Sequence, residues 1–190
     1  MTTPHTPYPA SRLPSTRVLL VCGALAAIQV GVYVGLSPLL VSLPALSPPL
    51  YAVVAGVHST MIFLTPRVTG ARWSATITAL LAGLIIAAMS PIGLLVALMI
   101  LIPGVLTDLA LLIPGSSSAR AREVRYLAAA LAVAVVLFAV SLPAFSAEHL
   151  TAGILVGAAA GRVVGETLAY LLARALAGGL ARAGVRRTAL

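Results

Sequence analysis

The chain has 190 residues, of which 61% are hydrophobic and 8% charged, with 12 basic side chains against 4 acidic ones and a formal net charge of +8. Soluble domains carry about 25% charged residues, so this chain cannot cover a water-facing surface, and the same hydrophobicity excludes disorder. The basic residues are all arginine and lie between apolar runs rather than along one face, which argues against a nucleic-acid partner. One cysteine, Cys22, excludes an intrachain disulfide and a cysteine-built metal cage. An integral membrane protein remains, with the lipid bilayer as its surroundings.

Taken in chain order, a proline-rich start (Pro4, Pro7, Pro9, Pro14) reads as a disordered cytoplasmic tail over residues 1–17. A spanning helix needs about 20 mostly apolar residues, and six stretches answer. The first runs from Val18 to Leu36. The second runs from Pro49 to Leu64, opened by Pro48-Pro49, where a missing N–H costs little. The third covers Trp73 to Met89 and ends at the turn signal Ser90-Pro91-Ile92-Gly93. The fourth runs from Leu94 to Ile113 and stops at Pro114-Gly115-Ser116. The fifth runs from Tyr126 to Leu142, ahead of Pro143, and the sixth from Thr151 to Leu176, before Gly178-Gly179. The sequence thus predicts an all-α, six-helix membrane domain over residues 18–178 and a basic cytoplasmic tail over 179–190. A cleaved signal peptide is the rival reading of the first run, although its apolar stretch exceeds the usual 7–15 residues.

Six spans put both termini on one side of the membrane. Arg12 and Arg17 precede the first span, Arg67 and Arg72 lie between the second and third, and Arg120, Arg122 and Arg125 lie between the fourth and fifth. Arg174, Arg182, Arg186 and Arg187 close the chain. Every arginine except Arg162, which falls inside a span, is then on one face. The positive-inside rule makes that face cytoplasmic.

The connecting segments leave no room for a soluble catalytic domain. The chain has no lysine and hence no phosphate loop of the GxxxxGK[ST] kind, and HExxH, GxSxG and usefully paired carboxylates are missing. His58 and Ser59 are neighbours, but adjacent helical side chains diverge, so they do not form a base–nucleophile pair. The expectation is a protein that is not an enzyme and uses no cofactor or metal.

Two small-residue ladders stand out. One is Gly23, Ala27, Gly31 and Gly35 in the first span. The other is Gly153, Gly157, Gly161 and Gly165 in the sixth, continued by Ala169, Ala173 and Ala177. Four-residue spacing aligns each set on one helix face, where another backbone can come close. Internal packing is the reading for the sixth span. For the first, packing and docking against a partner subunit stand about level.

Ionisable side chains inside the spans are His58, Asp108, Arg162 and Glu166. A charge at mid-bilayer costs about 2.5–3.5 kcal/mol on insertion scales, so acids and bases should find one another. Arg162 and Glu166 are one turn apart, and Asp108 is expected at the same depth. The first reading is a structural Arg–carboxylate cluster, the second a relay of partner contact, the third an ion path. His58 reads either as a neutral histidine bonded within the bundle or as the floor of an outward-facing pocket. Gln29, Tyr33, Tyr51, Phe145, Glu148 and His149 are candidate walls for that pocket, and Glu148 would attract a cationic solute.

The motifs Pro48-Pro49-Leu50-Tyr51, Pro66-Arg67-Val68-Thr69-Gly70-Ala71, Ser90-Pro91-Ile92-Gly93 and Pro103-Gly104-Val105-Leu106-Thr107-Asp108 follow one another through the middle of the chain. In this order, with six short spans and a small-residue first helix, they resemble the substrate-binding (S) component of energy-coupling-factor vitamin transporters. The likeness is nearest to the hydroxymethylpyrimidine/thiamine and putative S-component subfamilies and covers residues 18–178. It implies a multi-pass protein of the bacterial plasma membrane that captures a vitamin or related micronutrient outside. Delivery follows docking on a membrane coupling protein driven by two cytoplasmic ATPases, with Gly23, Ala27 and Gly31 as the coupling contact. The family's alanine-rich docking motif is here partly glycine. Rival readings are a stand-alone secondary transporter or channel working through Asp108, Arg162 and Glu166, and a structural membrane assembly protein without a pocket.

Overall fold

The computed structural model describes residues 14–90, 93–114, 116, 118–145 and 147–185. Among them there is helix and no strand. Helix α1 spans Thr16–Leu46, started by the Ser15 hydroxyl, which accepts from Val18 N–H. It passes the expected end at Leu36 and continues through Pro38 and Pro44. Pro38 has no N–H for the Val34 carbonyl. Ser37 Oγ donates to that carbonyl instead, at 2.9 Å, and the helix survives the proline.

The expected second span is two helices, α2 (Pro48–Val57) and α3 (Thr60–Thr69), interrupted at His58-Ser59. There the backbone tightens: His58 N–H donates to the Ala55 carbonyl and Ser59 N–H to that of Gly56, three residues back instead of four. Thr60 Oγ1 donates to the Val57 carbonyl at 2.6 Å. The break falls at the middle of the 22 residues Pro48–Thr69. Gly70 then closes α3 in the left-handed region at φ 66°.

Helix α4 (Ser74–Met89) and α5 (Leu94–Leu112) follow. Helix α6 (Ala119–Ser141) begins well before the expected Tyr126, because Ser118 caps it by accepting from Ala121 N–H at 3.1 Å. Two short 3₁₀ turns, Leu142–Ala144 and Ala147–His149, lead to α7 (Ala152–Arg182), which runs through Gly178 and Gly179. The helices thus extend from Thr16 to Arg182. Residues 1–13 and 186–190, with Arg12, Arg186 and Arg187, lie outside the described residues.

Five of these segments are long and apolar enough to cross a membrane: Thr16–Leu46, Pro48–Thr69, Leu94–Leu112, Ala119–Ser141 and Ala152–Arg182. The sixth, Ser74–Met89, is apolar but only 16 residues long. Large apolar side chains such as Leu20, Leu84, Leu98, Val135 and Leu171 cover the outside. This is a surface for lipid.

The most extensive helix–helix contact joins α2 to α7, followed by α4 to α5. The α7 ladder makes the first of these. A methyl group placed on Gly161 would lie 2.5 Å from the Pro49 carbonyl oxygen, and one on Gly165 would lie 2.5 Å from that of Val53. Gly56 answers from the other side, its added methyl 2.5 Å from the Gly165 carbonyl carbon. From Gly157 to Gly165 the ladder is therefore an internal packing face, as its spacing suggests, while Gly153 is exposed. The α1 ladder behaves differently: a methyl on Gly23, Gly31 or Gly35 would meet nothing within 4 Å, and Ala27 is exposed.

Gly165→Ala forces α2 and α7 apart and is expected to destabilise the fold by about 1–3 kcal/mol, whereas Gly31→Ala leaves it unchanged or slightly firmer. Thermal unfolding of the two variants in detergent, followed by loss of the monodisperse species, measures the difference. Equal melting temperatures would remove the close contact.

Candidate functional site

Gln29, His58, Arg162 and Glu166 each lie near the middle of a helical segment, and packing brings them to the α2–α3 break. The Gln29 amide nitrogen is 3.4 Å from His58 Nδ1. With the amide donating, Nδ1 accepts and the imidazole proton sits on Nε2. That Nε2 is buried without a hydrogen-bond partner among the described residues. The Tyr33 ring packs on the imidazole with centroids 5.7 Å apart.

Arg162 approaches closely enough to act electrostatically on both His58 and Tyr51. Its Nε is 3.5 Å from Glu166 Oε1, an ion pair one helical turn long, and the side chains are 7% and 1% exposed. No hydrogen bond forms across it. Arg162 Nε and both Glu166 oxygens are buried without hydrogen-bond partners among the described residues, although Ser59 sits against the carboxylate. The cluster therefore holds two N–H donors and two carboxylate oxygens without a full hydrogen bond, eased on Arg162 and Glu166 by their ion pair and by Ser59. A buried polar group without a hydrogen bond costs about 1–3 kcal/mol, and a polar molecule offering both donors and acceptors would satisfy these.

Above this cluster, Tyr51 meets Phe145 edge-on at 6.3 Å between ring centroids. Phe145 is buried with Ala52 and Ala158 between α2 and α7. Tyr51 also lies within electrostatic reach of Tyr33. Gln29, Tyr33 and His58 thus form one group at the break, and Tyr51 and Phe145 a second, linked to it by the electrostatic reach of Tyr33 and Arg162. Glu148 is exposed on the turn Ala147–His149, and the His149 side chain lies outside the described residues.

The structure does not bring Asp108 to Arg162 and Glu166. Asp108 Oδ2 accepts from both the backbone N–H and the hydroxyl of Thr76, each at 2.7 Å, and so caps the start of α4 from α5. A carboxylate is well placed at a helix N-terminus, where backbone N–H groups lack partners. The expected three-membered ion cluster is a pair and a separate cap.

A second polar assembly, centred on Glu123, escaped the sequence reading. Arg67 at the end of α3 grips Glu123 on α6 with two bonds, Nη1 to Oε1 at 2.8 Å and Nη2 to Oε2 at 3.1 Å. Tyr170 of α7 donates its hydroxyl to Glu123 Oε2 at 3.0 Å. The guanidinium stacks on Tyr126, 3.8 Å from the ring centroid. Glu123 was readable as the lone acid among Arg120, Arg122 and Arg125, but nothing local marks Arg67 as its partner. Clefts open around this assembly: one of about 200 Å³ includes Arg72, Asp108 and Arg125, and one of about 660 Å³ includes Arg67, Arg122 and Arg174. Neither is lined by Tyr51, His58 or Phe145.

Comparison with protein-family models, with curated proteins and with solved structures finds no match. The residues themselves therefore carry the functional argument.

Removing one member of the buried pair leaves the other charge unpaired. Glu166→Leu is expected to destabilise the fold by about 3–5 kcal/mol, and Arg162→Met with Glu166→Leu to recover most of that loss. Thermal unfolding of the single and double variants checks it, and a double variant no better than the single would show that the pair does not act as a unit.

Proposed function

We propose that this chain is the substrate-binding subunit of an importer of the energy-coupling-factor type, in the bacterial plasma membrane. It crosses the bilayer six times, with α2 and α3 as one interrupted crossing and α4 as the shortest. Both ends are cytoplasmic. The collection of Arg67, Arg72, Arg122, Arg125 and Arg174 around two neighbouring clefts supports that orientation, since basic side chains are retained on the inner face.

The observation that carries the reading is the unmet hydrogen-bonding capacity of His58, Arg162 and Glu166 beside a broken helix at mid-depth. Helices interrupted in the middle of a span are a usual way to present polar groups to a solute in lipid. The solute is a small, water-soluble micronutrient with both donors and acceptors, a vitamin or precursor such as thiamine or its pyrimidine. Tyr51 and Phe145 cover it from outside. The α1 face of Gly23, Ala27 and Gly31, where a methyl on either glycine meets nothing among the described residues and Ala27 is exposed, is the surface offered to a membrane coupling protein, itself driven by two cytoplasmic ATPases. The same broken helix and ionisable pair also favour a second reading, a stand-alone secondary transporter.

The two readings part in an uptake assay. Cells expressing the chain with a coupling protein and its ATPases, given labelled thiamine, its pyrimidine precursor and other vitamins in turn, should accumulate one of them. Uptake should vanish when the ATPases are omitted and fall at least tenfold with His58→Leu. Uptake that persists without ATPases and follows the proton gradient would favour the secondary transporter. Purified protein that retains no small molecule, from cells that also show no uptake, would favour a structural assembly role.

A further inference from the structure

The cleft of about 660 Å³ at the arginine end is a second site, independent of the mid-depth cluster. Its volume is within the range of about 300–1,000 Å³ that small-molecule pockets occupy. Three helices build it: Arg67 and Val68 come from α3, Arg122 and Glu123 from α6, and Arg174 and Leu180 from α7.

The three guanidinium groups are not equivalent. Arg67 has a side chain 8% exposed and is held rigidly by the paired bonds to Glu123 and the stack on Tyr126. Its Nε remains buried without a hydrogen-bond partner among the described residues. Glu123 is already engaged by Arg67 and by the Tyr170 hydroxyl, so its charge is largely used. Arg122 is half-buried and Arg174 exposed, and neither forms a hydrogen bond or a contact ion pair among the described residues. The lining thus sets three arginines against the single carboxylate of Glu123, which Arg174 also reaches electrostatically, and leaves a net positive charge facing one space.

The other wall is apolar. Val68, Ala177, Leu180 and Val185 line it, and the neighbouring α7 side chains Leu171, Leu172 and Leu176 point outward to lipid. Planar guanidinium groups beside a hydrocarbon wall, at the end of a bundle of spanning helices, match a molecule with a phosphate ester at one end and apolar chains at the other. A carboxylate would use the same groups, but a phosphate offers more acceptor oxygens to two arginines at once. We infer that this cleft binds a phosphate group, and that an anionic phospholipid of the adjoining leaflet supplies it. Arg122 and Arg174 hold the phosphate, and the Arg67–Glu123–Tyr170 assembly fixes the floor. Bound there, the lipid would tie α3, α6 and α7 together at one membrane face.

The test uses the full chain purified in detergent. Native mass spectrometry follows binding of a phosphatidylglycerol and, separately, of a phosphatidylcholine with the same acyl chains. A parallel arm measures the melting temperature with and without millimolar inorganic phosphate. Wild type should prefer phosphatidylglycerol, and Arg122→Gln and Arg174→Gln should each weaken that preference about fivefold. Arg182→Gln, outside the cleft, should leave it intact. A melting temperature raised by phosphate in wild type but not in the double variant, without lipid preference, would assign the site to free phosphate. Neither lipid preference nor phosphate stabilisation in wild type, or a preference that survives in the double variant, would overturn the proposal.

Discussion

The buried cluster of His58, Arg162 and Glu166 depends on how closely α2 and α7 approach. In lipid there is no hydrophobic force between apolar helices, so association rests on tight van der Waals contact and on interhelical bonds. Gly56, Gly161 and Gly165 remove the side chains that would hold the two backbones apart, and Pro49 and Val53 turn their carbonyls into the space. Arg162 and Glu166 each follow a ladder glycine directly in sequence. When the glycines face α2, the charged pair is carried beside the same helix, against His58 and Ser59.

That placement creates an electrostatic problem that the helix break partly answers. Ser59, one of the two residues of the break, sits against the Glu166 carboxylate. The interruption turns the chain at the depth where the charges lie, and Gln29 reaches across from α1 to orient the imidazole. The arrangement remains incomplete, with donors and acceptors left over on three side chains. Structures that only need to be stable rarely keep such groups, since apolar replacements pack as well and avoid the desolvation.

Much of the fold was legible because the bilayer restricts the options. Apolar length fixed where helices lie, and proline or glycine signals fixed the start of α2, the end of α4, both ends of α5 and the end of α6, but not the ends of α1 and α7. The α7 ladder announced its own packing through four-residue spacing. Misjudged boundaries have local causes: Ser37 rescues the carbonyl that Pro38 abandons, and Ser118 starts α6 among arginines that look like a loop. The break at His58-Ser59 has no proline or glycine of its own and could not be read. Of the residues that sequence grouped with His58, Gln29 and Tyr33 lie against it and Glu148 is exposed on a turn, whereas Asp108 lies apart from Arg162 and Glu166. Depth alone does not say on which side of the bundle a residue points. Asp108 and Thr76 are joined by the contact of α5 with α4, which is a matter of rotation about the helix axes.

The unequal lengths of α4 and its neighbour α1 bear on the surrounding lipid. At 1.5 Å per residue, the 16 residues of α4 rise about 24 Å and the 31 residues of α1 about 46 Å. A hydrocarbon layer of about 30 Å cannot match both. Asp108 anchors the start of α4, so that helix cannot slide lengthwise to seek a better fit. A crossing by α4 would compress the acyl chains beside it and tilt α1, giving an annulus of uneven thickness, thinnest along a single flank.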